Sequence, residues 1–339
     1  MFNDASEVLE GRSVDLMHEE IGGFFEFGLS GLNQFPYPNA TQYNSARSAF
    51  YDLLKNTFIE KLWMPRFICD SMIDPLILLG VEICFYDLNP NFSPILPEIL
   101  IPNEYLLYVN YFGLCTSIQR EILKQYPAKQ IIFDHSQAFF VQSFDCYATI
   151  YSPRKYLPVA EGGLLVTSRS IVPKYYERTA EEMVKQYQHG LLRTVSTAAH
   201  AFNVFQDNEN AFEDCLPRKI SKITQQMLES FDYANFKEKR LKNFKFLHSH
   251  LGKYNQLKVN IEDIESPLTY PLLLDKKISN ILIQSKIYTP TYWLDSLKRV
   301  TEDSFENNFI SNVTHLICDQ RYGEKEMQFQ IDKVQDYLK

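Results

Sequence analysis

From about residue 44 to residue 170, short apolar runs alternate with spacers long enough to form a helix. The runs read EKLWMP, VEICFYDL, YLLYVNYFG, KQIIFD, CYATIY and GGLLVTS. Between them lie CDSMIDPLILLG and TSIQREILKQYP, and ahead of the first, SARSAFYDLLKNTF places its apolar residues at helical spacing. Runs this uniformly apolar are buried on both faces, and parallel neighbours need crossover helices. The expected fold class is therefore α/β, a mostly parallel central sheet with helices on both faces. Ligands of such sheets collect at the carboxyl ends of the strands.

Beyond this block, residues 172 to 250 read as helical, in VPKYYERTAEEMVKQYQHGLL and ISKITQQMLESFDYANFKEKRLKNFKFLHSHL. From about 256 the pattern is mixed: LTYPLLL reads as a strand, ISNILIQSKIY as a helix and KEMQFQIDKVQDYL as a closing helix. A chain of 339 residues exceeds one small core. The expected division is a large α/β domain over 20–235, a smaller C-terminal α+β domain over 236–339, and an N-terminal arm over 1–19.

Charge and cysteine usage narrow the function. A net charge of -8 argues against a nucleic-acid surface, which needs a basic stripe. The cysteines at 69, 84, 115, 146, 215 and 318 are widely spaced with no CxxC, so neither a zinc site nor a disulfide framework is expected. His248-Ser249-His250 offers no metal site either, because residues two apart on a helix do not face the same way. The opening FNDASEVLEGRSVDLMHEE is polar and acidic, unlike a signal peptide. The apolar stretch from Phe67 to Tyr86 is broken by Asp70, Asp74, Pro75 and Glu82, so no membrane span is expected. Reduced thiols and a cytoplasmic location follow, with small molecules as partners.

One ordered set of polar residues stands out. Asp134 ends the run IIFD, and Lys155 follows in YSPRKYLPVAEGGLLVT, with Glu161-Gly162-Gly163 at a fixed interval behind it. Pyridoxal phosphate (PLP) enzymes need two such groups: a lysine to hold the cofactor as a Schiff base, and a carboxylate to keep the pyridine nitrogen protonated. Each residue also has a plainer reading. Lys155 alone would be a solvated charge, Asp134 a helix N-cap, and Gln137 a surface amide instead of a partner for a cofactor oxygen. His135 either stacks near the ring or sits in a loop. Asn44-Ser45-Ala46-Arg47 opens the first strong helix, where free N–H groups suit a phosphate or Ser45 is an ordinary cap. Phe67 and Cys69, after the first apolar run, either cover a flat ring or belong to the core. There is no GxxxxGK and no GxGxxG.

These residues resemble the DegT/DnrJ/EryC1/StrS family of PLP-dependent aminotransferases, over roughly residues 20 to 335. The matching blocks are NSARSAFYDLL, MPRFICDSMIDPLILLGVEICFYDLN, VNYFG, FDHSQA and SPRKYLPVAEGGLLVT. The resemblance implies the transferase fold of type I, Lys155 as internal aldimine, Asp134 on the pyridine nitrogen and Gln137 near a cofactor oxygen. It also implies the backbone of Ser45, Ala46 and Arg47 on the phosphate, and a homodimer whose active sites are shared between chains. Many members aminate keto-sugar nucleotides. Three departures stand beside it. The glycine-rich G-M-N-x-R segment that supplies a cross-subunit asparagine is not evident, HGLLRTVSTAAHAFN with Arg193 taking its place. Ile150 replaces the serine five residues before the lysine, which leaves Ser152 as the candidate for that phosphate contact, and the ring-stacking aromatic aligns with Cys69. The expected activity is transfer of an amino group from an amino acid such as glutamate to a keto or aldehyde acceptor. A PLP-dependent lyase, dehydratase or racemase is one alternative, and a catalytically degenerate binding or scaffold protein another. Trp293 either lines the site or packs beside it; Arg321 either binds a substrate carboxylate or forms a surface ion pair.

Overall fold

The computed structural model describes residues 29, 31–32, 34–210, 212 and 214–339; the expected arm over 1–19 and the start of the large domain at 20 lie outside them. The strands are β1 Thr41–Tyr43, β2 Lys61–Pro65, β3 Glu82–Leu88, β4 Pro94–Ile95, β5 Glu104–Val109, β6 Ile131–Asp134, β7 Ala148–Tyr151, β8 Gly163–Thr167, β9 Tyr270–Leu273 and β10 Val313–Leu316. The first eight form one sheet in the order β1-β8-β7-β6-β5-β2-β3-β4, and β9 and β10 form a separate antiparallel pair.

Within the large sheet β7, β6, β5, β2 and β3 run parallel, as the alternation of runs and spacers requires. The edges depart from this: β8 is antiparallel to β7 and to β1, and β4 is antiparallel to β3. The cause for β8 is its connection. Ser152–Gly162 contains a single 3-10 turn over Pro153–Lys155 and no crossover helix, so the chain doubles straight back.

The helices are α1 Ala46–Lys55, α2 Asp74–Leu79, α3 Thr116–Gln125, α4 Ala180–Gln186, α5 Gln188–Val195, α6 Ala198–Asn210, α7 Lys222–Ser230, α8 Tyr233–Leu251, α9 Ser279–Gln284, α10 Phe305–Asn312 and α11 Glu324–Leu338. Local chemistry sets their ends. Ser45 caps α1 by accepting the N–H of Ser48 at 3.1 Å. α2 carries Pro75 in its first turn and stops at Gly80, which takes a left-handed φ of 69°. Thr179 and Glu182 form a capping box at the start of α4. The long helical stretch expected from 220 to 251 is divided: Phe231 is extended, and Asp232 caps a new helix by accepting the N–H of Asn235 at 3.0 Å.

The strands of the large sheet and the inner faces of α1–α3 share one core, which includes Leu53, Leu62, Leu106, Ile132 and Phe133. Leu257, Leu273, Trp293 and Phe309 of the C-terminal third pack into that same core. A second core joins α8, β9, β10 and α11 through Phe244, Leu247, Leu272, Leu316 and Ile331. The expected domain boundary between 235 and 236 falls in the first turn of α8. No helix among the described residues is long and apolar enough to cross a membrane.

Candidate active site

At the carboxyl ends of β2, β6 and β7 a cavity of about 330 Å³ opens, lined among others by Ser45, Ala46, Arg47, Cys69, Asp134, Ser152 and Lys155. These residues are far apart in sequence. The parallel sheet brings them together because each lies at, or just beyond, the same end of a strand or at the start of a helix packed on it.

Asp134 is the last residue of β6 and is 2% exposed. Its Oδ1 accepts the N–H of Ser136 at 2.7 Å, a local turn and not a helix cap. Beneath it a buried polar network fixes the strand end. Asn110 Nδ2 donates to Gln119 Oε1 at 2.7 Å, and Gln119 meets His135 Nε2 at 2.9 Å. The Nδ1 of His135 lies 3.3 Å from the carbonyl of Val141. Burial pushes the pKa of this imidazole down to about 3, so it stays neutral and supports the wall without reaching the cavity.

Lys155 ends the 3-10 turn after β7, between two anchored neighbours. On one side Arg154 pairs with Glu209 of α6 and lies 4.9 Å over the ring of Phe212. On the other, the buried Tyr156 hydroxyl donates to the carbonyl of Ser266 at 2.8 Å and to that of Gln137. Arg240 and Gln320 in turn donate to the carbonyl of Tyr156, at 3.3 and 2.7 Å. The ammonium of Lys155 has no hydrogen-bond or ion-pair partner among the described residues. Its charge reaches Cys69: burial pushes that thiol up, Lys155 opposes the shift and Asp134 adds to it.

The remaining wall is built on α1 and from the C-terminal third. Ser45 caps and Ala46 opens α1, whose helix dipole favours an anion at this end. Arg47 donates to the carbonyl of Phe212 at 2.8 Å and lies 3.9 Å from Asp74. Gly163 permits the close packing of β8 here, since a Cβ on it would stand 2.0 Å from the carbonyl oxygen of Ser45. Trp293 lines the cavity with a left-handed φ of 52°, its carbonyl accepting from Ser296 Oγ at 2.6 Å.

Two expected residues lie elsewhere. Phe67 is 1% exposed and stacks on Tyr111 with ring centres 5.4 Å apart, so it belongs to the aromatic core behind the wall. Gln137 is fully buried and accepts the N–H of Phe112 at 3.0 Å, while its Nε2 has no partner. Arg321 forms a bidentate ion pair with Asp319 at 2.9 and 2.7 Å. Sequence reasoning missed Ser71, Met72, Ser136, Arg154, Glu209, Asn210 and Phe212, all on the wall. Arg154, adjacent to the lysine, and Ser136, two residues beyond Asp134, carried a signal that could have found them.

No family model matches the sequence, and no curated protein matches it. Solved structures do match. A DegT DnrJ EryC1 StrS aminotransferase from Brucella abortus superposes with a TM-score of 0.59 at 12% identity, over 87% of this chain and 84% of that one. PseC of Helicobacter pylori, an aminotransferase involved in the biosynthesis of pseudoaminic acid, gives 0.58 at 14% identity, over 88% and 86%. NtdA of Bacillus subtilis, solved with bound cofactor PMP, gives 0.58 at 14% identity, over 87% and 72%. The chain has the fold of these aminotransferases, as the type I expectation required.

Proposed function

We propose that the protein is a PLP-dependent aminotransferase of the DegT/DnrJ/EryC1/StrS type. The observation that carries this is Lys155: an amine with no hydrogen-bond or ion-pair partner among the described residues, held between two anchored neighbours, in one cavity with a buried strand-end carboxylate. The residues present fit the cofactor. Lys155 would hold it covalently, Asp134 would sit at its ring nitrogen, and Ser45, Ala46 and Arg47 with Ser152 would receive its phosphate. Gln137, buried off the cavity wall, is not among them.

Bound there, PLP supplies an electron sink for the carbon that carries the amino group. The carboxylate of Asp134 would keep a proton on the ring nitrogen and so sustain that sink. The amine of Lys155 would move a proton to and from the substrate carbon. The anchoring of Arg154 and Tyr156 restricts where that amine can swing. Cys69, in place of an aromatic ring, leaves a small polarizable side chain on the wall.

The donor in this reading is an amino acid, glutamate first, and the acceptor a ketone or aldehyde, with a keto-sugar nucleotide the leading class. PseC is an aminotransferase involved in the biosynthesis of pseudoaminic acid, and the shared fold supports a related acceptor class for this chain. A homodimer belongs to the reading, supported by exposed apolar side chains from Val172 to Phe205 that include Leu191, Val195 and Phe202. The six free cysteines suit a cytoplasmic location. The test is transfer of label from ¹⁵N-glutamate to a panel of keto acids and keto-sugar nucleotides in the presence of PLP. Label in an amino product supports the reading; elimination products without label would replace it with a lyase.

A further inference from the structure

Glu161 lies six residues beyond Lys155 but is not on the cavity wall, and its carboxylate is fully buried. It pairs with Arg178 at 2.6 Å, a guanidinium whose side chain is 6% exposed. Its other oxygen accepts the N–H of Ser221 at 2.7 Å and the hydroxyl of Thr224 at 3.0 Å. Arg178 also donates to the carbonyl of Lys219 at 2.7 Å. One buried ion pair thus fastens the segment from Lys219 to Thr224 onto the strand that returns from the lysine turn.

Both of the parts so joined grip the first turn of α1. On one side, the N–H of Gly162 donates to the carbonyl of Asn44 at 2.7 Å, Ser45 bridges to Gly162, and Gly163 packs under the Ser45 carbonyl. Gly162, at φ 134°, leaves room for Pro153 of the lysine turn, whose Cγ would stand 2.7 Å from any Cβ there. On the other side, the N–H of Asn44 donates to the carbonyl of Arg218 at 2.9 Å and the Ser48 hydroxyl to that of Leu216 at 2.9 Å.

We propose that Glu161 is a positioning residue: by joining the two, it fixes the start of α1 relative to the lysine turn, and so sets the anion-binding end of the cavity. The proposal rests on the cofactor reading above only in naming that anion as the cofactor's phosphate. A buried ion pair adds little net stability because desolvation offsets its attraction, while removal of one partner leaves an uncompensated buried charge.

The experiment compares Glu161→Gln, which keeps volume and an acceptor but removes the charge, with Arg178→Met, which removes the partner. Binding of PLP and of pyridoxal, which lacks the phosphate, is measured for each, along with amide exchange over residues 44–49. Both variants are expected to weaken PLP about tenfold and pyridoxal less than about twofold, the scale of one charged hydrogen-bond set, and to speed exchange at 44–49. Equal weakening of both ligands, or unchanged exchange at 44–49 with a lowered melting temperature, would overturn the proposal and leave Glu161 a stabilising anchor. If the wild type binds neither ligand, the cofactor reading fails, and the exchange measurement alone decides the role of Glu161.

Discussion

Phe67 and Cys69 stand two positions apart on the segment that leaves β2, and they separate into core and cavity wall. An apolar residue beside a site and one within it look alike in sequence; only the packing of Tyr111, Trp293 and Phe309 around Phe67 assigns it. Asp134, Lys155 and Ser45 all line the cavity and were singled out by position, at a strand end, just beyond a strand and at a helix cap. Glu209 and Phe212 were not, because they reach the cavity from a helix end more than fifty residues beyond Arg154, through an ion pair and a ring contact. Gly163 gives the sharpest residue-level prediction. A methyl group there would collide with the carbonyl of Ser45, a backbone atom that cannot turn aside. Gly163→Ala should lose about 1–3 kcal/mol in a urea unfolding titration. An unchanged midpoint would mean that β8 and α1 are not packed this closely.

At the scale of elements, the central parallel strands were readable from the spacing of runs and spacers, since burial on both faces leaves little else for such runs to be. The antiparallel return of β8 was not readable. Its direction depends on what the lysine turn lacks, a helix, and apolar content says nothing about direction. β10 was missed because VTHL is short and half polar in sequence, yet all four residues are buried. Trp293 was a candidate for the site, but the ion pair that ties the C-terminal third to the cavity was hidden for the same reason as Glu209. Arg299, its side chain 11% exposed, pairs with Asp70 and donates to the carbonyl of Ile68, while Asp295 accepts the N–H of Asp70 at 2.6 Å. This latch holds the segment bearing Cys69, Ser71 and Met72 against the one bearing Trp293. Arg299→Met keeps the stem and removes the donors, and should cost about 1–3 kcal/mol in the same titration. It should also raise the reactivity of Cys69 toward a maleimide. A variant with unaltered stability and labelling would show that the latch does not hold the wall.

For the whole molecule, acid is the expected weakness. His135 and His315 are both buried, and burial pushes each pKa from 6.5 down to about 3. Below about 6.5 the unfolded chain takes up protons that the folded chain refuses. The stability they confer is therefore complete above that pH and is lost as pH falls toward about 3, by up to ~1.4 kcal/mol per pH unit for each group. His315→Gln should flatten the fall in unfolding free energy between about pH 6.5 and 4.5; an equal slope in variant and wild type would mean that His315 is not buried neutral. The exposed apolar residues along α4 to α6 predict a dimer by sedimentation, and a monomer at micromolar concentration would remove the partner chain from the account. Borohydride reduction of the PLP-treated protein tests most directly whether Lys155 is the residue to which the cofactor attaches. Peptide mapping should find a reduced pyridoxyl adduct on Lys155, absent from Lys155→Ala. No adduct at Lys155 in the wild type, or labelling undiminished by that substitution, would contradict the account.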